Sequence, residues 1–374
     1  MRLACLSTDP GIAYGGAKGA SVHLAEILGA LAGEGAEVLL LVSGVAPEAP
    51  PPAGVTVEPL PGRRKGAPAE ELLAVEAVLA AWLEERLRRF DADALYERVA
   101  LYSSAGSKAA RALGVPHLLE LNAPLPEEAA RFRRLDRPED ADRLERETLA
   151  GADLVLPVSS PLVEYASSRG ARRVELMPNA VALDRFADLP PRSDDDQVVA
   201  VFSGALRPWH GIETIAEAWQ LLGHAAPRLR VIGDGPGRDL MEGIGADLTG
   251  AVPHERVPAL LGSAHIGLAP YSADAPSYFS PLKLFEYLAA GLAVVAADIP
   301  GVRDVVGDDG AALIPPGDAE LLAHAVAALT QSERERGRLS RAALSLAEEH
   351  TWYRRAQRIL DAVAELSQRE AAPA

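Results

Sequence analysis

The chain has 374 residues, 48% hydrophobic and 24% charged, so it is longer than one typical domain and can bury two cores. Its net charge of −16 argues against a nucleic-acid partner, because phosphate backbones are bound by accumulated lysine and arginine. The same balance limits the expected membrane contact to a peripheral one. No stretch approaches the roughly 18 apolar residues that cross a bilayer, and the opening run resembles a strand rather than a signal peptide. We therefore expect a cytoplasmic protein.

The first half alternates strand-like and helix-like segments, which predicts a parallel, doubly wound sheet. The predicted strands are residues 3–6, 37–42, 95–96, 115–121 and 154–158. The predicted helices are residues 21–32, 69–90 and 143–150. The single cysteine, Cys5, lies in the first apolar run and is interpreted as a small core side chain.

A break in the pattern follows at residues 188–197, where two prolines and three successive aspartates continue neither a helix nor a strand. We interpret this segment as a linker between a first domain over 1–187 and a second over 198–350. Residues 351–374 are predicted to form a C-terminal helix. The run Asp194–Asp196 contains an Asp-x-Asp spacing, but its place in the linker favours a solvated charge run over a metal site.

The second half restarts the same alternation. Its predicted strands are residues 198–202, 229–232, 266–269 and 293–297. Its predicted helices are residues 212–222, 257–261, 281–290, 319–329, 333–349 and 352–366. Two such α/β halves predict two Rossmann-like domains facing across a cleft, with ligands at the carboxyl ends of the strands.

Residues 280–291, SPLKLFEYLAAG, form a short helix with Lys283 and Glu286 one turn apart. Ser280 is predicted to cap this helix, with Pro281 at its first position and Gly291 closing it in a left-handed conformation. Free backbone N–H groups beside a lysine suit an anion, and a phosphate in particular. The simpler alternative for the two charges is an ion pair within the helix.

Three loops at predicted strand ends are candidates for ligand contact. Residues 204–211, GALRPWHG, place an arginine where it could bind a phosphate bidentately, and the simpler alternative is an exposed arginine paired with an acidic neighbour. Residues 232–237, IGDGPG, lack the third glycine of a dinucleotide fingerprint. Residues 9–21 carry four glycines and a lysine without P-loop spacing, so their backbone could approach a ligand but ATP hydrolysis is unsupported.

The remaining catalytic patterns are absent from the sequence. The histidines have no zinc-ligand spacing, no G-x-S-x-G elbow occurs, and no cofactor fingerprint is complete. We therefore expect no metal and no resident cofactor.

Residues 277–306, SYFSPLKLFEYLAAGLAVVAADIPGVRDVV, resemble the nucleotide-sugar motif of the family-four retaining glycosyltransferases of the GT-B fold. The supporting stretches follow in the family's order: GGAKGASVHLAEILGAL, VSSPLVEYASSRGARRVELMPNAVALDRF, GALRPWHGIETIAEAW, RLRVIGDGPG and LTGAVPHERVPALLGSAHIGLAPY. The resemblance implies a sugar transfer from a nucleotide diphosphate sugar to an acceptor, with retention of configuration and without a metal.

The resemblance also implies roles for individual residues. Glu286 would bind the ribose hydroxyls, and Arg207 with Lys283 would balance the charge of the departing diphosphate. Backbone N–H groups around Ser280, Leu282 and Lys283 would meet the diphosphate. The same donor site would include Tyr278, Phe279, His210, Gly204, Gly233 and Gly235. The acceptor-side loop would include Gly15, Gly16, Lys18 and Gly19.

The chain departs from the family pattern at several positions. Tyr278 stands where the family has the first glutamate of its E-x7-E, which bears on the donor sugar. Ala205 and His210 replace the usual arginine and lysine, and His210 could still donate to a phosphate. Asn122 replaces a histidine near the reacting sugar, with Glu120 as a possible base.

Two alternatives to sugar transfer stay open. A sugar-nucleotide epimerase shares the architecture and converts the donor unaided, whereas a catalytically silent binding protein would keep only the nucleotide pocket. The acceptor could be a small molecule, a glycan or a lipid-linked sugar. The sequence assigns neither the nucleotide base and sugar nor the oligomeric state.

Overall fold

The computed structural model describes residues 1–16, 18–47, 49–189 and 197–371. The contacts within this part divide it into two compact units, Met1–Met177 with Trp352–Ala374, and Pro178–Thr351. The change of unit at Met177 precedes the predicted boundary at 187. Most of the predicted linker, including Asp194–Asp196, lies outside the described residues, and the predicted domain limits stay predictions.

The first unit is built on a parallel sheet with the strand order β3-β2-β1-β4-β5-β6. Its strands are β1 (Arg2–Ser7), β2 (Glu37–Val42), β3 (Val55–Pro59), β4 (Ala94–Arg98), β5 (His117–Leu121) and β6 (Leu154–Pro157). Its helices are α1 (Gly19–Gly33), α2 (Ala69–Phe90), α3 (Ala105–Leu113), α4 (Leu125–Phe132), α5 (Pro138–Gly151), α6 (Ser160–Ser168) and α14 (Trp352–Ala371). The order reverses between β1 and β4, which is the point where such sheets bind ligands.

The second unit repeats this arrangement, with the strand order β12-β11-β10-β7-β8-β9. Its strands are β7 (Val199–Ser203), β8 (Arg228–Ile232), β9 (Asp247–Gly250), β10 (Ile266–Ala269), β11 (Ala293–Ala297) and β12 (Ala312–Ile314). Its helices are α7 (Ile212–Leu222), α8 (Arg238–Gly243), α9 (Val257–Gly262), α10 (Leu282–Ala289), α11 (Pro300–Val306), α12 (Ala319–Gln331) and α13 (Glu333–Glu349). The order reverses between β7 and β10. The predicted pair of doubly wound α/β folds is confirmed.

A tyrosine occupies the split between β7 and β10 in the second unit. These strands pair directly only at Ile266 with Ala200 and at Gly267 with Val201. Beyond that point the hydroxyl of Tyr287 accepts from the Ser203 N–H at 2.7 Å and donates to a β10 carbonyl at 3.2 Å. The buried tyrosine hydroxyl therefore takes the place of direct hydrogen bonds between the two strands, and it pairs one backbone group of each where they diverge.

The core of the second unit explains why α10 packs as it does. Leu284, Phe285 and Leu288 are fully buried on the strands, and Gly291 closes the helix at φ +61° as predicted. The start of the helix is not as predicted. Pro281 has an extended backbone (φ −79°, ψ 125°) and precedes the first helical residue, Leu282. Residues 300–306, which are not among the predicted helices, form α11.

Candidate functional site

The candidate site of the second unit lies where the strand order reverses, at the carboxyl ends of β7 and β10. Lys283, in the first turn of α10, extends its side chain to this place. Its Nζ lies 3.9 Å from the centroid of the Phe202 ring and 5.9 Å from that of Tyr271. Phe202 belongs to β7, and Tyr271 follows β10. The ammonium therefore stands at the position in which open α/β sheets bind their ligands.

The Lys283 ammonium is buried and has no hydrogen-bond partner in the described part of the chain. Burial lowers its pKa to about 7, and the nearby Glu286 carboxylate acts in the opposite direction. The aromatic rings offer cation–π attraction but no acceptor. Buried ammonium groups normally find a partner, and an anion is the kind of partner that would complete this one.

Glycines at the ends of β7 and β8 let the backbone come close to the Lys283 ammonium, where side chains would not fit. A Cβ at Gly204, whose φ is +129°, would lie 3.0 Å from Lys283 Nζ. A Cβ at Gly233 would lie 2.1 Å from the Gly204 carbonyl oxygen, and one at Gly235 would lie 2.9 Å from the Leu206 nitrogen. Gly204 thus leaves space for the ammonium, while Gly233 and Gly235 let two loops pack closely on each other.

The segment before α10 is fixed by a residue far away in the sequence. The Asn179 N–H donates to the Ser280 hydroxyl at 3.1 Å, and the Asn179 side-chain amide donates to the Ser280 carbonyl at 2.5 Å. The predicted cap is therefore wrong: the N-cap of α10 is Pro281, and Ser280 stands one residue before it with its hydroxyl accepting from Asn179. The backbone N–H groups of Leu282 and Lys283 lie in the first turn, where an α-helix leaves such groups without an intrahelical partner.

The carboxylate of Glu286 is partnered by a histidine and not by Lys283. His254 Nε2 lies 2.7 Å from Glu286 Oε1, and His254 Nδ1 lies 2.9 Å from a terminal nitrogen of Arg185. The Glu286 side chain is 14% exposed. The alternative of an ion pair within the helix is therefore not what α10 shows, and the Glu286 side chain keeps a small exposed fraction.

The loop of residues 204–211 places one exposed arginine and one partly buried histidine near the end of β7. The His210 Nδ1 lies 2.6 Å from the Ala205 carbonyl, so this nitrogen carries the proton and donates it. Burial, the Lys283 ammonium and Arg207 lower the pKa of His210 to about 4. Without a ligand the neutral ring has a bare Nε2, so it would have to gain a proton before it could donate to a phosphate, and its predicted phosphate contact stays a prediction. Arg207 is exposed, with its guanidinium carbon 5.8 Å from the Trp209 ring centroid.

The two aromatic residues before Ser280 form a small cluster at the same end of the unit. The Phe279 ring lies 5.5 Å from Tyr278 and 6.0 Å from Tyr271, centroid to centroid. This contact connects Tyr278, the position of the missing glutamate, to the aromatic wall beside Lys283.

Both halves of the chain match models of glycosyltransferase domains. Residues 18–180 match the glycosyl transferase 4-like domain, and residues 197–332 match the glycosyl transferases group 1 domain. The solved structure of Anabaena Alr3699/HepE in complex with UDP is similar at a TM-score of 0.71 and 17% identity, over 98% of this chain and 100% of that one. The chain has the GT-B fold. Together the matches support a glycosyltransferase.

Two curated relatives of this GT-B chain are glycosyltransferases by name. TuaC of Bacillus subtilis (strain 168), named for teichuronic acid biosynthesis, is 28% identical over 190 residues, which is 48% of each chain. The GDP-mannose-dependent alpha-mannosyltransferase of Mycobacterium tuberculosis (strain CDC 1551 / Oshkosh) is 28% identical over 262 residues, which is 67% of each chain. The match therefore spans about half the length of the first relative.

The first unit of the GT-B chain places Glu120 in a buried network and not at an open surface. Its carboxylate accepts from His23 Nε2 at 2.7 Å and from Arg98 at 2.6 Å, and it also binds the Tyr96 hydroxyl. Burial opposes its ionisation, but the charges of His23 and Arg98 and the hydrogen bonds hold the pKa of Glu120 well below its usual range. A carboxylate so held is a poor proton acceptor, so the geometry does not favour its predicted role as base.

Asn122, just after β5, is half-buried, and its Oδ1 has no hydrogen-bond partner among the described residues.

Gly15 and Gly16 of the acceptor-side loop pack closely against neighbouring residues of the first unit. Cβ atoms there would lie 2.0 Å from the Ala49 Cβ and 2.8 Å from the Ser21 hydroxyl. Lys18 donates to the Gly11 carbonyl at 3.2 Å, and Gly19 begins α1. Their contact with an acceptor stays a prediction.

Sequence reasoning missed Asn179, Arg185 and His254. Each acts on α10 from a distant segment, and only their polar character inside the resembling stretches could have marked them.

Within the described ranges, no group of three or more histidine, cysteine, aspartate or glutamate side chains could hold a metal ion, and no helix is long and apolar enough to cross a membrane. The expected independence from metal stays an expectation.

Proposed function

We propose that this chain is a glycosyltransferase that takes its sugar from a nucleoside diphosphate sugar bound by the second unit. The observation that carries the proposal is the buried ammonium of Lys283, which has no hydrogen-bond partner among the described residues and lies where the strand order reverses. A diphosphate there would supply the missing counter-charge, and the N-terminus of α10 would add its dipole.

The chemistry follows from what this site would do to the leaving group. Breaking the bond between the anomeric carbon and phosphate places negative charge on the departing diphosphate. A cation already fixed by packing stabilises that charge without moving at the moment of reaction. Lys283 therefore takes the role that the family pattern gives to residues replaced here by Ala205 and His210. Arg207, at the exposed end of the same loop, is a second cation for the outer phosphate.

The nucleoside would be held through Glu286, whose carboxylate could accept hydrogen bonds from the ribose hydroxyls. UDP is bound by HepE, and the mycobacterial relative is named for GDP-mannose, so uracil and guanine are the first bases to test. Retention of configuration, with the leaving phosphate taking the acceptor proton on the same face, is proposed from the resemblance. Asn122 of the first unit, with its unpartnered oxygen, is the proposed contact for an acceptor hydroxyl.

A thermal-shift panel of nucleoside diphosphates and nucleotide sugars tests this proposal. The matching nucleotide at roughly 100 times its Kd is expected to raise the melting temperature by about 5 °C or more. Glu286→Ala should remove most of that shift because the ribose contact is lost. Glu255→Ala, an exposed neighbour of His254, is the matched control and should keep it. A panel without any shift contradicts the proposal.

Product analysis separates transfer from the two alternatives. A transferase is expected to release nucleoside diphosphate only when an acceptor or water takes the sugar. Conversion of the donor into a second nucleotide sugar without an acceptor would identify an epimerase. Nucleotide binding without turnover, across acceptor extracts that support other glycosyltransferases, would identify a silent binding protein.

A further inference from the structure

We propose that His254, itself held by Arg185, is a positioning residue that aims the Glu286 carboxylate at the nucleoside of the donor. The inference rests on the proposed function, because it assigns a further residue to the same nucleotide site. His254 is not part of α10 and contacts the ligand only through the glutamate in this scheme.

Three short segments bring these side chains together. Arg185 belongs to the 3₁₀ turn Leu183–Phe186, His254 to the 3₁₀ turn His254–Arg256, and Glu286 to α10. The two contacts, 2.9 Å from Arg185 to Nδ1 and 2.7 Å from Nε2 to Glu286 Oε1, join them in a row. The 3₁₀ turn that contains Arg185 also contacts α9, and Val257 of α9 is buried in the same core as Phe285 of α10. The packing of α9 therefore holds together the segments that carry this row of three side chains.

The chemistry of the row fixes the tautomer of His254. A guanidinium only donates hydrogen bonds, so Nδ1 must offer its lone pair to Arg185. The proton of the neutral ring is then on Nε2, and Nε2–H donates to Glu286 Oε1. Arg185 thus ensures that the histidine presents a donor, and never a lone pair, to the carboxylate.

The consequence for the ligand is a preorganised acceptor. Glutamate has three rotatable side-chain bonds, and a free carboxylate would lose that freedom when it binds a ribose. Held through Oε1, the carboxylate keeps Oε2 and further lone pairs for hydroxyl donors. The side chain is 14% exposed, so burial by its neighbours limits its freedom further. Fixing a side chain in its bound orientation strengthens binding by removing this ordering cost.

The competing interpretation is that the row only stabilises the second unit, as a partly buried polar contact often does. The two interpretations differ in coupling. If His254 acts through Glu286, its removal matters for nucleotide binding only while Glu286 is present. If it only stabilises the fold, its removal lowers the free energy of unfolding and leaves nucleotide affinity unchanged for the folded fraction.

The test is a double-mutant cycle measured by calorimetry at a temperature where all variants are folded. The probe is UDP or GDP, whichever gives the larger shift in the wild-type protein. His254→Ala is expected to weaken binding about tenfold or more, because one charge-assisted hydrogen bond is lost. In a Glu286→Ala background the same change is expected to have almost no effect. His224→Ala, an exposed histidine of the same unit, should bind as the wild type does.

Two conservative variants sharpen the cycle. His254→Gln places an amide N–H near the position of Nε2 and should restore much of the affinity, whereas His254→Asn places its amide near Nδ1 and should not. In the ligand-free protein, the nitrogen NMR spectrum of His254 is expected to show an unprotonated Nδ1 and a protonated Nε2. The opposite tautomer would overturn the inference without any reference to a ligand.

The outcomes separate the positioning role of His254 from the proposed function. If Glu286→Ala loses binding while His254→Ala keeps it, or if the two effects are additive, the positioning role is refuted and the proposed function stands. If the wild-type protein binds neither UDP nor GDP nor any other nucleotide of the panel, the proposed function falls, and the inference falls with it.

Discussion

Replacing Lys283 with methionine is expected to stabilise the ligand-free protein and, at the same time, to weaken nucleoside diphosphate binding at least about 100-fold. Methionine fills a similar volume between the Phe202 and Tyr271 rings, but it carries no charge whose burial costs free energy. Removing a buried, unpaired ammonium should raise the free energy of unfolding by about 1–4 kcal/mol. Chemical denaturation and calorimetry with the best nucleotide of the panel measure the two effects.

Lys65→Met is the matched control, because Lys65 is exposed and lies in the other unit. It should change neither stability nor affinity. Should Lys283→Met bind the diphosphate as tightly as the wild-type protein, the ammonium would not be the counter-charge of the donor, and the observation that carries the proposed function would lose its meaning.

The same lysine predicts a dependence on pH whose direction can be worked out. Burial lowers the pKa of Lys283 to about 7 in the folded protein, from an ordinary value of 10.5. Between these values the unfolded chain holds more protons, so the wild-type free energy of unfolding should rise with pH across this window relative to Lys283→Met. A bound diphosphate favours the ammonium, so binding should take up a proton above pH 7 and weaken as the pH rises.

Calorimetry at pH 8 in two buffers of different ionisation enthalpy measures this proton uptake directly. The wild-type protein is expected to give different apparent binding heats in the two buffers. Identical heats, together with a stability difference that does not vary with pH, would contradict the assignment of the titrating group.

Glu120→Ala is expected to destabilise the protein by about 3–5 kcal/mol. The change leaves His23 and Arg98 without the carboxylate that pairs them, at side-chain exposures of 7% and 14%. Because the folded-state pKa is depressed, the stability that Glu120 contributes is present above its unfolded pKa and is lost as the pH falls towards the folded value. Urea unfolding at neutral pH measures the loss.

Glu164→Ala serves as the comparison, because Glu164 is exposed in the same unit and should change stability by less than about 0.5 kcal/mol. The outcome also decides between two roles. A Glu120→Ala protein as stable as the wild type but unable to transfer sugar would restore the glutamate to the role of base that the sequence suggested.

Elements whose apolar residues follow one clear helical or strand pattern were predictable from the sequence. The helix at 69–90 has the predicted bounds, because its apolar residues recur at helical spacing over six turns. The strands 37–42 and 293–297 likewise have the predicted bounds, because each consists almost entirely of a buried apolar run. Short or weakly patterned elements were missed. The edge strand β9 is only half-buried along its length, and α11 starts with a Pro-Gly pair that indicates a turn.

The site was predictable only where its residues are close in the sequence. Lys283 and Glu286 share one helical turn, so their common position followed from the motif. Asn179 is 101 residues from Ser280, and His254 is 32 residues from Glu286, and no spacing rule connects them. The missing ion pair between Lys283 and Glu286 was equally unpredictable, because it depends on the aromatic rings and glycine backbone that surround the ammonium.

The Tyr287 hydroxyl has a consequence for how a donor would enter. It bridges β7 and β10 at 2.7 Å and 3.2 Å from inside the core, so the gap between these strand ends is braced by a rigid ring. Opening or narrowing that gap would break both contacts at once. If this site binds a nucleotide as proposed, the spacing of the two strand ends should be the same with and without it, and crystals grown in either condition should superimpose there to within coordinate error.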